Sequence, residues 1–366
     1  MKPKSWQFRN TVSLLQKWSK DLPRLMGYEE ARGAADFPAW QRKARRKLKE
    51  LLGFWPAKVE KPQSWLLQTE ACDGFGREHW VVESPLGDHL FLYRLVPDGM
   101  TRPQRKGVPP AIMLALHGHG YYGADPVAGV MKGRFQEGES LKQHNYDYGA
   151  QFARRGYLVY CLCQRGFAQR CDVDSPGNGL VVDPSNPGAV PGSSCLDINT
   201  RGTLLGTTDI GLRVQDALHL VSWIKSRPGE GRAPIGCVGL SGGGHATQFI
   251  AALDTRITAA CSQGYFCYWS DQIVDVVHCN CNYVPGLLRH FEQDDVCALI
   301  CPRPLLVTTA DKDGVAPEES FRRAYKGLRR VYQAHGSVKD LEQDIFEGDH
   351  EFSGRKAFAF FDKHLR

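Results

Sequence analysis

The stretch that decides the fold is residues 235–253, which read IGCVGLSGGGHATQFIAAL. A continuous apolar run precedes Ser241, and an apolar, alanine-rich segment follows it. Glycines lie two positions before and two positions after this serine, which permits the tight, strained turn of a nucleophile elbow between a strand and a helix. The sequence therefore predicts that the Ser241 hydroxyl projects at the carboxyl edge of a sheet, where open α/β sheets bind their ligands.

Short apolar runs separated by helical patterns extend on both sides of this stretch. They predict strands over residues 79–83, 89–96, 111–117, 157–163, 235–240, 257–262, 304–310 and 341–347. The first two are expected to form an antiparallel pair, whereas continuous apolar runs indicate strands buried on both faces of a parallel sheet. Helices are predicted over residues 210–224 and 359–365. The pattern predicts an α/β fold with a doubly wound, mostly parallel sheet flanked by helices.

A serine hydroxyl needs a base to remove its proton, and in sheets of this kind the nucleophile, the acid and the base follow one another along the chain. His350 is the predicted base because it lies in a loop between the last predicted strand and the last predicted helix. Asp311 and Asp313 both come directly after strand 304–310. The carboxylate must hold the imidazole tautomer and stabilise the imidazolium. The residues alone leave the choice between the two aspartates open.

Hydrogen-bond donors must meet the negative charge that develops on a tetrahedral intermediate. Residues 117–120 read HGHG and follow strand 111–117, so they reach the same sheet edge. The backbone amides of His119 and Gly242 are the predicted oxyanion donors. Two histidines two positions apart at a glycine turn rarely bind one ion, so these imidazoles are not expected to hold a metal. His245 has no assigned role, since pocket lining and helix capping both suit it.

The composition is that of a folded globular protein, but its charge is uneven. The net charge of the whole chain is +6. Residues 1–62 hold 15 Lys and Arg against 6 Asp and Glu, a net charge of +9. Residues 63–366 hold 31 Lys and Arg against 34 Asp and Glu, a net charge of −3. Much of the excess lies in residues 40–52, whose apolar positions recur at helical spacing. We expect a helical extension over residues 1–62 with its basic side in water, and a catalytic domain over residues 63–366. A body that is not basic predicts no nucleic-acid partner.

No stretch approaches the roughly 18 apolar residues needed to span a bilayer, so no membrane partner is expected. The chain starts with charged residues and no apolar segment behind them, which gives no secretory signal. A cytoplasmic protein is therefore expected, with a secreted mature form left open. Assembly as a homo-oligomer is also left open.

Six of the 12 cysteines lie within residues 261–301. In a chain of this length, cysteines are usually reduced, buried thiols that pack as small apolar groups, and we expect the same here. Residues 278–281 read HCNC, which raises the question of a metal, yet a lone HCxC lacks the paired spacings of zinc ribbons and fingers. We therefore expect no metal ligand and no cofactor.

Two connections are longer than such a fold needs, residues 164–207 and 263–300. Long loops in compact domains are usually functional, so both are expected near the site. Aromatic residues in the second connection, and after the HGHG turn, are predicted to bind substrate: Tyr121, Tyr122, Phe266 and Trp269.

With strand, HGHG turn, serine elbow, aspartate loop and histidine loop in this order, residues 79–366 resemble the α/β-hydrolase superfamily. The stretches LALHGHG, VGLSGGG, HCNCNYVPGLL and ALICPRPLLVTTADKDGVAP are similar to its acetylxylan esterase and dienelactone hydrolase branch. In that branch the triad aspartate lies four residues before a proline, which corresponds to Asp313. The resemblance implies that Ser241, His350 and Asp313 hydrolyse small acyl esters, often acetyl groups on carbohydrates, without a metal cofactor.

The expected function is thus a serine carboxylic ester hydrolase whose partner is a small-molecule or carbohydrate ester. A serine peptidase of the prolyl-oligopeptidase kind shares the elbow and the triad. Such peptidases carry a large β-propeller ahead of the catalytic domain, and the 110 residues before the HGHG strand are too few to build one. A third alternative is a non-catalytic protein that kept the fold and binds a metal through its cysteines.

Overall fold

The computed structural model describes residues 10–28, 36–56, 62–100, 111–120, 122–130, 144–172 and 193–366. Within these residues one sheet of nine strands crosses the molecule in the order β1-β2-β3-β5-β4-β6-β7-β8-β9. The strands are β1 (Ser64–Cys72), β2 (Phe75–Glu83), β3 (His89–Pro97), β4 (Ile112–Leu116), β5 (Leu158–Leu162), β6 (Ile235–Leu240), β7 (Ile257–Gln263), β8 (Leu305–Ala310) and β9 (Leu341–Phe346).

The first three strands are antiparallel and the remaining ones are parallel to one another. β3 joins the two parts by pairing antiparallel with β5. This topology confirms the predicted mostly parallel sheet and its antiparallel opening pair. The edge strand β1 was not predicted, because Trp65, Leu66 and Leu67 are consecutive and exposed and leave no alternation of apolar and polar residues.

Helices cover both faces of the sheet. They are α1 (Thr11–Asp21), α2 (Phe37–Leu52), α3 (Tyr148–Arg154), α4 (Cys195–Leu205), α5 (Asp209–Ser226), α6 (Gly242–Leu253), α7 (Trp269–Gln272), α8 (Gln293–Ala298), α9 (Glu318–Ala334) and α10 (Ala357–Leu365). Side chains of α2, α5, α6, α8 and α9 share one hydrophobic core, and those of α3 and α10 share the other. None of the helices in the described residues combines the length and the apolar character needed to traverse a bilayer.

The central strand β4 shows why the apolar runs predicted buried strands. Ile112, Leu114 and Leu116 pack in one core, while Met113 and Ala115 pack in the other. Successive side chains of a strand point to opposite faces, so a strand with both faces covered must be apolar throughout. Because β4, β6, β8 and β9 run parallel, the segments that follow them all leave the sheet at its carboxyl edge.

The connection over residues 164–207 is less irregular than expected. It holds α4 at Cys195–Leu205, whose first residue is buried while Leu204 and Leu205 are exposed. Exposed leucines and a threonine- and glycine-containing sequence leave no apolar stripe, so periodicity could not reveal this helix.

The apolar side of helix α2 packs into the main core. Trp40, Ala44 and Leu48 are buried in the core that α5 and α6 share. On its basic side, Arg45 donates from Nε to the Ala252 carbonyl at 2.8 Å and from Nη2 to the Leu299 carbonyl at 2.7 Å. Four basic residues of the helix are exposed, namely Arg42, Lys43, Arg46 and Lys49. Arg45 is half-buried and meets carbonyl groups at the C-terminal ends of α6 and α8, where a cation is favourable.

This contact predicts that Arg45→Ala destabilises the fold more than the loss of a surface charge would. Removing a charged donor from two carbonyls is expected to lower the free energy of unfolding by about 1–3 kcal/mol. Urea denaturation followed by circular dichroism measures it. Arg46→Ala, on the exposed side of the same helix, is the matched control, and an equal loss in both variants would contradict the assignment.

Candidate active site

Ser241 lies on a turn through which β6 passes directly into α6. Its backbone has φ 58° and ψ −125°, and a non-glycine residue held in so rare a conformation stores about 1–3 kcal/mol of strain. A Cβ atom added at Gly239 would lie 2.3 Å from the carbonyl carbon of Gly243, and one added at Gly243 would lie 2.0 Å from the Leu116 oxygen. The two glycines therefore allow the turn, which has the geometry predicted for the elbow.

The structure brings His350 together with Asp313 and not with Asp311. The imidazole Nδ1 lies 3.0 Å from each carboxylate oxygen of Asp313. Asp313 is buried, and its Oδ1 also accepts hydrogen bonds from the backbone amides of Val315 and Ala316. Asp311 is exposed and accepts instead from a backbone amide of the histidine loop. Of the two aspartates between which the residues alone could not choose, Asp313 is thus the one that bonds the His350 imidazole.

The hydrogen bond to Asp313 determines which nitrogen of His350 can act as a base. An ionised carboxylate only accepts, so Nδ1 carries the proton and Nε2 keeps its lone pair. Nε2 is buried and has no hydrogen-bond partner within the described part of the chain. A Cβ atom at Gly264 would lie 3.0 Å from His350 Cε1 and 3.1 Å from Leu240 Cδ1. The His350 ring and the side chain of Leu240, the residue that precedes Ser241, therefore both lie against Gly264.

The loops that carry Asp313 and His350 are bonded to each other and to the rest of the described chain. The Asp311 amide donates to the Phe346 carbonyl at 2.9 Å, which ties the start of one loop to the end of β9. Further along, the Phe352 amide donates to the His144 carbonyl, and the His144 imidazole lies 3.1 Å from the carbonyl oxygen of His350. His144 was not predicted because it precedes a short helix that carries no recognisable motif.

Tyr146 is a second residue of the site that the sequence did not reveal. Its hydroxyl accepts a hydrogen bond from the Gly118 amide at 2.7 Å. A Cβ atom at Gly118 would lie 2.8 Å from Ser241 Cβ and 2.9 Å from the Tyr146 oxygen, so the three residues meet. Burial raises the pKa of Tyr146 to about 12, which keeps the hydroxyl protonated. The Gly118 amide of this turn is thus occupied by the Tyr146 hydroxyl.

The two predicted oxyanion residues lie on neighbouring turns. Gly242 is the first residue of α6, where helix amides lack intrahelical acceptors and the helix dipole favours negative charge. The His119 ring lies over it, since a Cβ atom at Gly242 would be 2.9 Å from His119 Nδ1. The structure thus places both residues beside Ser241.

His117 has a structural role. Its Nε2 accepts from the Gln164 amide at 2.9 Å, so Nδ1 carries the proton and donates to the Gly118 carbonyl at 2.7 Å. Burial lowers the pKa of His117 to about 3, so the ring is neutral. Both nitrogens of His117 are therefore occupied by backbone partners.

The Nε2 atom of His119 lies among cysteine thiols. Its Nε2 lies 2.9 Å from Cys281 Sγ, and its ligand atoms and those of Cys195, Cys279 and Cys281 all lie within 4.8 Å of one another. All four residues belong to turns or ends of elements near the elbow. None of these cysteines forms a disulfide.

The predicted substrate-binding aromatics occupy different environments. Tyr121 lies outside the described residues, and Tyr122 is half-buried in the turn that follows it. Phe266 is fully buried and packs edge-on against Phe321 at 5.7 Å between ring centroids. Trp269 is also fully buried. Contact of these four residues with a substrate stays a prediction, and the two in the second long connection pack in the hydrophobic core.

His245, for which the sequence suggested no role, packs beneath the site. Its ring stacks on Tyr265 with centroids 4.3 Å apart, and burial holds its pKa well below the usual value. Tyr265 in turn donates from its hydroxyl to Asn282 Oδ1 at 2.8 Å. A neutral histidine thus supports the segment that carries Cys279 and Cys281.

Comparison with known proteins agrees with this architecture. The chain is 26% identical over 272 residues to "Putative hydrolase YtaP" of Bacillus subtilis, covering 72% of this chain and 80% of that protein. Among solved structures it superposes on a putative acetyl xylan esterase of Bacteroides fragilis with a TM-score of 0.72 at 15% identity, covering 95% and 84% of the two chains. It superposes on a glucuronoyl esterase of Solibacter usitatus with a TM-score of 0.66 at 15% identity, covering 93% and 96%.

The structural likeness at this identity establishes the fold, which is that of α/β-hydrolases. The sequence match is more specific, because the model of the Abhydrolase family matches residues 4–344, nearly the whole chain. That match includes the N-terminal helices as well as the elbow and the aspartate loop. The chain therefore belongs to the Abhydrolase family, and it is a hydrolase-family enzyme built on the fold that esterases use.

Proposed function

We propose that the protein is a serine carboxylic ester hydrolase that cleaves small acyl esters, with acetyl esters of carbohydrates as its substrate class. One observation carries the proposal. The His350 imidazole donates to Asp313 through Nδ1, keeps a buried Nε2 that has no partner among the described residues, and lies against Gly264 together with Leu240, the residue before the strained turn of Ser241. This is the arrangement that activates a serine hydroxyl as a nucleophile.

Acylation begins when Ser241 Oγ attacks the ester carbonyl carbon and its proton passes to His350 Nε2. The carbonyl electron pair moves to the oxygen, which the amides of His119 and Gly242 then stabilise. Asp313 stays ionised and stabilises the imidazolium. When the intermediate collapses, the bond between the carbonyl carbon and the leaving oxygen breaks. His350 returns its proton to that oxygen, so the alcohol departs neutral and an acyl-serine remains.

Deacylation repeats the same steps with water as the nucleophile. His350 Nε2 removes a proton from the water, the hydroxide oxygen bonds to the acyl carbon, and the second oxyanion occupies the same two amides. Collapse breaks the bond to Ser241 Oγ, which takes the proton back from His350. The carboxylic acid leaves, and the enzyme is restored without a cofactor in any step.

The proposed substrate class rests on the residues of the resemblance and on the names of structural neighbours. Acetyl xylan esterases and glucuronoyl esterases are both among the proteins whose structures superpose on this chain. The first class releases acetate from a sugar, and the second acts at a uronic acid ester. Measuring hydrolysis of acetylated xylo-oligosaccharides, p-nitrophenyl acetate and a methyl glucuronate ester distinguishes these two activities. Turnover of the glucuronate ester alone would contradict the acetyl proposal.

The assignment of the nucleophile predicts that Ser241→Ala abolishes ester hydrolysis. Loss of a triad serine is expected to lower kcat/KM for p-nitrophenyl acetate by about 10⁴-fold or more. A fluorophosphonate probe should label the wild-type protein at Ser241 and leave the variant unlabelled. Ser226→Ala, at an exposed position of α5, is the control and should keep full activity. Equal turnover by the wild type and Ser241→Ala would refute the proposal.

The geometry also predicts a large difference between the two neighbouring aspartates. Asp313→Asn replaces the carboxylate that fixes the His350 tautomer, so kcat is expected to fall by about 10⁴-fold. Asp311→Asn changes an exposed residue that bonds only a loop amide and should lower kcat less than about tenfold. Steady-state kinetics on one ester compares the two. A larger loss in the Asp311 variant would reverse the assignment.

A further inference from the structure

We propose that His119, Cys195, Cys279 and Cys281 together bind one zinc ion, which fastens the HGHG turn to two other segments beside the active site. The ligands come from three separated parts of the chain. His119 lies on the turn after β4, Cys195 is the first residue of α4, and the two remaining cysteines flank Asn280 in the segment between α7 and α8.

The four ligand atoms already have nearly the spacing that zinc imposes. All of them lie within 4.8 Å of one another, and the His119 Nε2 to Cys281 Sγ separation is 2.9 Å. Bond lengths of tetrahedral zinc sites place pairs of ligand atoms about 3.5 to 3.8 Å apart. Small side-chain rotations that bring the widest pair about 1 Å closer, and that move His119 Nε2 and Cys281 Sγ about 0.6 Å further apart, would therefore complete the tetrahedron.

The chemistry of the donors selects the metal. Three thiolates and one imidazole form a soft set that favours zinc over magnesium or calcium, which prefer oxygen ligands. Four protein ligands close the coordination sphere, as in structural zinc sites, whereas catalytic sites keep a position open for water. The ion would thus organise the structure and take no part in the bond-making steps.

The surroundings of the cluster suit an anionic metal centre. One zinc with three thiolates carries a net charge of −1, and the buried Arg213 donates from Nη2 to Cys195 Sγ at 3.1 Å. The same guanidinium is held by Asp209 at 2.8 Å and lies over the Phe167 ring. Asn282 donates to the Cys279 carbonyl at 2.9 Å and holds the turn between the two cysteines. Outer contacts of this kind orient metal ligands.

The position of His119 connects the ion to the reaction. Its Nε2 faces the thiols, while its Nδ1 lies against Gly242, the residue that follows Ser241. Its backbone amide is one of the two proposed oxyanion donors. An ion that holds this imidazole fixes the turn that carries the amide, so His119 acts as a positioning residue. This last step rests on the proposed function, but zinc binding does not.

The test measures the metal before it measures activity. Full-length protein is produced in medium supplemented with zinc, dialysed against metal-free buffer and analysed by inductively coupled plasma mass spectrometry. We expect about one zinc per chain in the wild type and in Ser241→Ala, and less than about a fifth of that in Cys279→Ser and Cys281→Ser. Cys72→Ser, a half-buried cysteine in β1, is the matched control and should keep its zinc.

A second readout identifies the ligands. Replacing zinc by Co²⁺ should produce thiolate-to-cobalt charge-transfer absorption and the intense visible bands of a tetrahedral site in the wild type and in Cys72→Ser. His119→Cys should keep one metal and strengthen the charge-transfer band, because a fourth thiolate replaces the imidazole. Wild-type protein that holds no zinc, holds iron instead, or contains a disulfide among the three cysteines by mass spectrometry would overturn the proposal.

A separate measurement tests whether the bound zinc ion supports catalysis. Removing zinc with a chelator is expected to lower kcat for p-nitrophenyl acetate at least about tenfold, with recovery on readdition of zinc. Bound zinc without any ester hydrolysis in the wild type would refute the proposed function and support the metal site. Unchanged kcat in the zinc-free protein would overturn the positioning role of the ion.

Discussion

The site depends on how closely helix α6 approaches the central strands. At the turn, Gly243 lies against the Leu116 carbonyl and Gly239 lies against Gly243, so no side chain fits at either position. This contact forces the backbone of Ser241 into its strained conformation and aims the start of α6 at the carboxyl edge of the sheet. The same contact brings the turn after β4 next to Ser241. Ser241 and the turn after β4 are therefore placed by one steric constraint.

The sequence revealed those parts of the site whose signal is local. The elbow could be predicted because its glycines must lie two residues from the serine, and the buried strands could be predicted because both faces of each strand are apolar. His350 followed from its place after the last strand. The choice of Asp313 needed the resemblance, since both aspartates follow β8, and the hydrogen bond to Nδ1 is visible only in three dimensions.

What the sequence could not reveal depends on contacts between distant segments. Tyr146 meets Gly118 across the sheet edge, and nothing in its own neighbourhood marks it. The basic side of helix α2 was expected to face water, and its periodicity gave no sign that Arg45 also reaches carbonyls near the ends of two other helices. The cluster of His119 with three cysteines was not predicted for the same reason. HCNC lacks a second pair in sequence, and its partners, His119 and Cys195, come from segments far apart in the chain.

The loops of the site are held in two different ways, and this difference explains why the cluster lies where it does. The aspartate and histidine loops bond to each other through their backbones, as between the Lys312 amide and the Gly348 carbonyl, so strand ends fix them directly. The turn after β4 is held mainly by side chains, namely the hydroxyl of Tyr146 and the imidazoles of His117 and His119. A turn held by side chains can shift more easily than one held by backbone bonds, yet an oxyanion donor must not move as charge develops. A metal ion bonded to His119 supplies the rigidity that backbone pairing gives the other two loops.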